Sequence, residues 1–283
     1  MIFSKFDEEV KLNWIQAFFL GVVQGLTEFL PVSSSGHLVV FQKILEVDNN
    51  SLVFDVAVHL GTLLSVVTVY RSQIWKILKD LFAYFKNRQI NQGVHLFVVV
   101  VIGSIPTALI GFTLKDLFES LFSNLFAVGL FFCVTGVLLF LTRGRTLASA
   151  KDDFSDLSGI EKVTIKQALI IGVAQGAAIA PGVSRSGTTI ATGILLGVPR
   201  KIAALFSFML SIPAVMGAAL LQLKDVANLD EGFLVSLSVG LVVSYFAGLV
   251  GLSGVLHFVK KGRLEVFSVY LWILGITCVI WGM

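Results

Sequence analysis

Residues 28–37 read EFLPVSSSGH and residues 181–189 read PGVSRSGTT. The first stretch places a carboxylate, three hydroxyls and an imidazole within ten residues; the second sets one arginine among serines and threonines. A proline followed by serines suits a helix that stops and restarts, because a serine side chain accepts a bond from a backbone amide at the new start. The remaining free amides and the positive end of the helix dipole favour an anion there. Ser33, Ser34, Ser35 and His37 from one start, with Ser184, Arg185, Ser186 and Thr188 from the other, describe a pocket for a multiply charged oxyanion. Gly36 and Gly187 let a ligand approach the backbone closely. Arg185 suits phosphate because its planar fork donates two parallel hydrogen bonds. A diphosphate fits this set best.

Glu28 and His37 add reactivity. Phosphoryl transfer requires positioning, charge neutralisation and an activated nucleophile. Serine or histidine can accept the phosphoryl group, and histidine can activate serine or water. Ser34 and His37 are three residues apart, which puts them on one face if Ser33 caps the half-helix. Ser34 as nucleophile with His37 as general base or acid is the favoured assignment; direct attack by His37 or by water are the alternatives. Glu28 can hold a divalent cation that bridges phosphate oxygens, or it can orient His37. His95 and His257 read as structural or near-surface residues. Asp55 lies one turn before His59 on the same face, and whether that pair supports the site stays open.

The elements that position these residues are membrane helices. The chain has 283 residues, 56% hydrophobic and 14% charged, with a mean hydropathy of +0.90; a soluble domain carries about 25% charged residues. Long continuous apolar runs such as 126–141 exclude a transmembrane barrel, whose segments are short and alternating. Six full spans are expected, at 52–70, 94–112, 121–141, 202–221, 233–254 and 264–280. Two further apolar stretches, 14–45 and 164–198, are broken by the proline–serine segments. Each half is too short for the roughly 20 residues that a span needs, so each stretch reads as a re-entrant hairpin of two half-helices. Cys133 and Cys278 lie in apolar runs and read as packing residues, not as a disulfide or metal pair. The opening MIFSKFDEEVKLNW is mixed in charge and does not read as a cleavable signal.

Residues 16–37 and 167–188, at an offset of 151, match at ten of 22 positions, including Gln24/Gln175, Gly25/Gly176, Val32/Val183, Ser33/Ser184, Ser35/Ser186 and Gly36/Gly187. Three expected spans separate the copies, so the second enters from the opposite face. The expected fold class is an all-α polytopic membrane protein built as an inverted repeat. Residues 1–150 form one half and 151–283 the other, each with one re-entrant hairpin and three transmembrane helices. The two breaks then meet near the midplane. Lys and Arg mark the cytoplasmic side: fifteen lie in 71–93, 142–166, 200–201 and 260–263, five lie on the other side, and Arg185 alone falls inside the membrane.

The motifs QGLTEFLPVSSSGHL and PGVSRSGTT, with FDVAVHLGTLLSVV at 54–67, resemble those of the bacterial undecaprenyl-diphosphate phosphatases, the bacitracin-resistance family, over nearly the whole chain. The resemblance implies an enzyme of the bacterial cytoplasmic (inner) membrane. It would hydrolyse undecaprenyl diphosphate to undecaprenyl phosphate and phosphate, recycling the lipid carrier for peptidoglycan, with a site opening toward the periplasm. It implies a divalent cation, Mg or Ca, with Glu28 as a ligand. By motif, Glu28, Ser34, His37 and Arg185 would be essential, and Gln24, Ser33, Ser35, Gly36, Ser184, Ser186, Gly187, Thr188 and Thr189 would line the substrate site. Gln24 stands where some family members carry glutamate, which removes one negative charge. The partners implied are the isoprenyl diphosphate lipid and the bilayer, with no nucleic acid and with homodimerisation left open. A transporter or flippase of a phosphorylated isoprenoid lipid is the alternative, since broken helices in inverted repeats also serve alternating access. An anion channel is disfavoured by the negative charge of Glu28.

Overall fold

A computed structural model describes residues 12–47, 52–145, 157–226 and 231–283. The opening stretch before residue 12, with Lys5 and Lys11, the boundary between residues 150 and 151, and Lys151 lie outside the described residues. Twelve α-helices run through the rest: α1 (Trp14–Phe29), α2 (Ser34–Ile44), α3 (Leu52–Val69), α4 (Arg71–Asn87), α5 (Gln92–Thr113), α6 (Lys115–Phe122), α7 (Leu125–Phe140), α8 (Ile165–Ala177), α9 (Arg185–Leu195), α10 (Arg200–Val226), α11 (Glu231–Lys261) and α12 (Val266–Gly282). No strand occurs among the described residues. The chain is an all-helical, multi-pass membrane protein.

Four helices, α3, α5, α10 and α11, are by themselves long and apolar enough to cross a membrane. Two expected spans are modified. The one at 121–141 starts only at Leu125, because Asn124 caps α7 by accepting from the Ala127 amide at 3.0 Å, and the preceding α6 turns away at 103°. The one at 264–280 corresponds to α12, an apolar helix of 17 residues. The segment 71–93, expected as a loop, is mostly helix α4. Its outer side carries Trp75, Leu78, Phe82 and Phe85 among Lys76, Lys79 and Lys86, the composition of a helix that lies along a membrane surface. Its mixed charge and apolar residues conceal it from any search for long apolar runs.

The two broken stretches form the expected pairs of short helices. α1, α2, α8 and α9 have 16, 11, 13 and 11 residues, so none reaches the roughly 30 Å of a hydrocarbon core at about 1.5 Å per residue. Their local bonds correspond at the 151-residue offset. Asn13 caps α1 in a capping box with Gln16, and Thr164 caps α8 in one with Gln167. Gln16 Nε2 donates to the Leu45 carbonyl at 3.0 Å, and Gln167 Nε2 to the Leu196 carbonyl at 3.1 Å. Each glutamine thus ties the start of one short helix to the end of the next.

Helix α1 packs on α11 and α8 on α5; α3 also packs on α10 and α11, and α7 on α12. The contacts are close because small residues line them. A Cβ on Gly25 would lie 2.5 Å from Ala247 Cβ and 2.7 Å from the Ser244 carbonyl oxygen. Pro106 and Pro213 sit inside α5 and α10, as membrane helices allow. Phe29, Phe132, Phe206 and Phe208 belong to the main buried cluster, which surrounds the breaks.

Candidate active site

Glu28 lies in the last turn of α1 and is buried. A buried carboxylate is costly unless it is paired and hydrogen-bonded, and four elements meet that demand. Arg185, the first residue of α9, places Nη2 2.5 Å from Glu28 Oε1. Ser34, the first residue of α2, donates its hydroxyl to Glu28 Oε2 at 2.5 Å. Gln24, one turn earlier on α1, donates Nε2 to the same oxygen at 2.9 Å. From α3, His59 brings Nε2 to 3.4 Å of Oε2. The two breaks therefore meet on one carboxylate.

Both half-helix starts are capped as the sequence leads one to expect. Ser33 Oγ accepts from the Gly36 amide at 3.3 Å, and Ser184 Oγ accepts from the Gly187 amide at 3.0 Å. Ser35 Oγ and Ser186 Oγ lie 3.3 Å from the respective capping hydroxyls. The caps differ in backbone. Ser184 is extended at φ −73°, whereas Ser33 sits at φ 67° and ψ 95°, in the left-handed half of the map where a side chain costs about 1–3 kcal/mol.

Other expected site residues have different duties. Ser186 Oγ also donates to the Leu30 carbonyl at 3.3 Å, and Thr189 Oγ1 pairs with Ser207 Oγ of α10 at 2.6 Å. Ser186 thus ties the second break to the first, and Thr189 ties it to α10. Gly36 and Gly187 face protein on the side a Cβ would take: at 2.6 Å from Phe132 Cζ and 2.9 Å from Gly182 Cα for the first, and at 3.0 Å from Pro31 Cβ for the second. Each glycine admits the turn of the opposite break, so close approach serves the interlock of the halves. The expected Ser34–His37 bond is not made. His37 Nδ1 lies 2.7 Å from the Ser33 carbonyl oxygen and Nε2 lies 2.6 Å from the Tyr270 hydroxyl. Nor does Glu28 orient His37. Asp55 meets His59 through its backbone carbonyl, 2.6 Å from Nδ1, while its carboxylate accepts from Gln42 at 2.9 Å. His59 thus joins Glu28, a contact that the sequence left open. Tyr270, in the apolar run of α12, carried no signal in the sequence.

Three buried polar atoms at the site have no hydrogen-bond partner: Arg185 Nη1, Thr188 Oγ1 and Gln24 Oε1. Such atoms are rare in folded proteins. The first is a charged donor and the second a hydroxyl one turn along the same half-helix, the pair a phosphate oxygen would satisfy. Gln24 Oε1 bears on a divalent cation. Among the described residues no three His, Cys, Asp or Glu side chains converge. Mg and Ca, however, take oxygen ligands, and Mg commonly takes only one or two from carboxylates and the rest from phosphate and water. Ser34, Gln24 and His59 all approach Glu28 Oε2, while Arg185 is the partner of Oε1. A carboxylate oxygen has two lone pairs, so Glu28 Oε1 and Gln24 Oε1 fit a cation shared with a phosphorylated substrate.

Residues 17–277 match the family described as bacitracin resistance protein BacA. The undecaprenyl-diphosphatase of Carboxydothermus hydrogenoformans is 42% identical over 273 residues, covering 95% of this chain and 97% of that protein. That of Desulforapulum autotrophicum is 41% identical, over 94% and 98% of the two chains. That of Methanosphaera stadtmanae is 37% identical, over 95% and 98%.

Proposed function

The chain belongs to the bacitracin resistance protein BacA family, and we propose that Ser34, Glu28 and Arg185 carry out that family's reaction here. The protein hydrolyses undecaprenyl diphosphate to undecaprenyl phosphate and inorganic phosphate, and bacitracin resistance follows from the family. The observation that carries the residue assignment is the pair of 2.5 Å contacts that Ser34 and Arg185 make with the two oxygens of Glu28.

Serine is a weak nucleophile until a neighbour takes its proton. Glu28 Oε2 is already bonded to that proton. Ser34 Oγ attacks the terminal phosphorus, its proton passes to Glu28, and the bridging P–O bond breaks to release undecaprenyl phosphate. Water then cleaves the phosphoserine, giving inorganic phosphate and restoring Ser34 and Glu28. Arg185 neutralises developing charge on the equatorial oxygens. Its Nη1, buried and unpartnered, and Thr188 Oγ1 receive the terminal phosphate. Gln24 Oε1 and Glu28 would hold a divalent cation, which would supply further charge neutralisation when bound.

The same reading extends to placement. Support for an inverted repeat comes from the packing: exchanging α1, α3, α5 and α7 with α8, α10, α11 and α12 turns the α1–α11 contact into α8–α5 and leaves the α3–α10 and α7–α12 contacts in place. We take the protein to lie in the bacterial inner membrane, as the family resemblance implies, and the Lys and Arg distribution supports α4 on the cytoplasmic face. The family's periplasmic opening is taken over for the site. Phosphate release from a long-chain isoprenyl diphosphate by purified protein in detergent tests the reading. Detergent offers no two sides, so a transporter that only moves the lipid would release none.

A further inference from the structure

We infer that His37 and Tyr270 are positioning residues that hold the Ser33 turn, and through it the direction of the Ser34 hydroxyl. His37 is not the acid or base of the reaction. The inference rests on the assignment of Ser34 above.

The two half-helix starts can be compared position by position, and they differ where His37 acts. Ser33 and Ser184 are equivalent caps, yet only Ser33 adopts positive φ. Four residues later the first start has His37 and the second Thr188, whose hydroxyl has no partner. His37 Nδ1 lies 2.7 Å from the Ser33 carbonyl oxygen, which can only accept, so Nδ1 carries the proton. The unusual turn and the side chain that bonds it occur together in one half and are both missing from the other.

Tyr270 completes the arrangement. Its hydroxyl lies 2.6 Å from His37 Nε2 and donates to the lone pair that the Nδ1–H tautomer leaves there. Its ring stacks on the imidazole with centroids 5.8 Å apart and planes at 14°. Phe132 meets the imidazole edge-on from another side, at 5.4 Å and 78°, and also fills the space beside Gly36. The imidazole is thus held in a slot with both nitrogens engaged, and neither is directed at Ser34, whose proton goes to Glu28.

The geometry separates two roles by side-chain shape. An asparagine amide nitrogen can stand in for Nδ1, and a glutamine amide reaches the place of Nε2. His37→Asn is expected to keep turnover within about tenfold of the parent, the scale of one weakened hydrogen bond, while His37→Gln and His37→Ala lose at least about a hundredfold. Tyr270→Phe is expected to lower kcat about three- to tenfold with KM unchanged. Nitrogen NMR of labelled His37 in the full-length protein should show a protonated Nδ1 and an unprotonated Nε2, and the Nε2 signal should shift in Tyr270→Phe. The proposal is overturned if folded His37→Asn is as inactive as His37→Ala, if His37→Gln outperforms His37→Asn, or if the proton resides on Nε2. Ser34→Ala, assayed alongside, tests the nucleophile: activity there would sink that assignment, whereas the Asn–Gln comparison and the tautomer speak to His37 alone.

Discussion

Ser34 and Arg185 occupy the same position of two matched half-helices, 151 residues apart, and they bond the two oxygens of one carboxylate, Glu28. One position carries a hydroxyl and the other a guanidinium. The counterpart of Glu28 is Ile179, so the second half keeps the frame and contributes the cation, while the first half holds the carboxylate and the hydroxyl.

Ser34→Ala should reduce phosphate release at least about a thousandfold, since removing a nucleophile that acts with its base forfeits their joint contribution. Rapid acid quench with substrate labelled in the terminal phosphate should trap acid-stable phosphoserine in the parent and none in Ser34→Ala. Acid-labile label that persists in Ser34→Ala would instead assign the attack to a histidine.

Arg185→Ala should nearly abolish hydrolysis and also destabilise the protein, because it leaves Glu28 buried without its cation; breaking a buried pair costs about 3–5 kcal/mol. Thermal unfolding in detergent measures that loss. Adding Glu28→Gln should restore much of the stability and none of the activity. Arg185→Lys should remain poor, since a point charge cannot reproduce the fork, and near-parent turnover there would contradict the role.

Glu28→Gln should keep the protein folded and lower kcat more than a hundredfold, about the loss expected for a general base. Comparison with Gln24→Glu isolates the cation: a second carboxylate should lower the Mg or Ca concentration needed for half-maximal activity. An unchanged requirement would remove Gln24 from the cation site.

Single cysteines at Gln89 and Arg145 should resist an impermeant thiol reagent on intact cells, and one at Ser120 should react. Residue 89 follows α4 and residue 145 follows α7, on the side expected to be cytoplasmic. Labelling at position 145 without permeabilisation would reverse the orientation.

Much of the architecture was legible because the membrane enforces it. A spanning segment must be apolar over about 20 residues and cannot carry an idle charge, so α3, α5, α10 and α11 stand out, and Glu28 and Arg185 had to have partners. Helix α4 was hidden because an interfacial helix alternates Lys with Phe and Trp and makes no apolar run. The bend before α7 was hidden because it depends on the Asn124 cap, one hydroxyl-free polar residue among many.

The amino-acid sequence alone determined a polytopic helical membrane protein, two matched proline–serine breaks, the caps Ser33 and Ser184, and the residue types of a phosphate site. Those follow from short-range rules: apolar length, helix capping and charge at membrane depth. Which groups touch was decided by the tertiary structure. Spacing put Ser34 and His37 on one face, yet α1 brings Glu28 to Ser34 and to Arg185 of α9, and α12 draws His37 toward Tyr270, 233 residues away. Helical periodicity constrains neighbours within one element. The partner of a side chain at the junction of four helices depends on how those helices pack, and that is set by contacts spread over the whole chain.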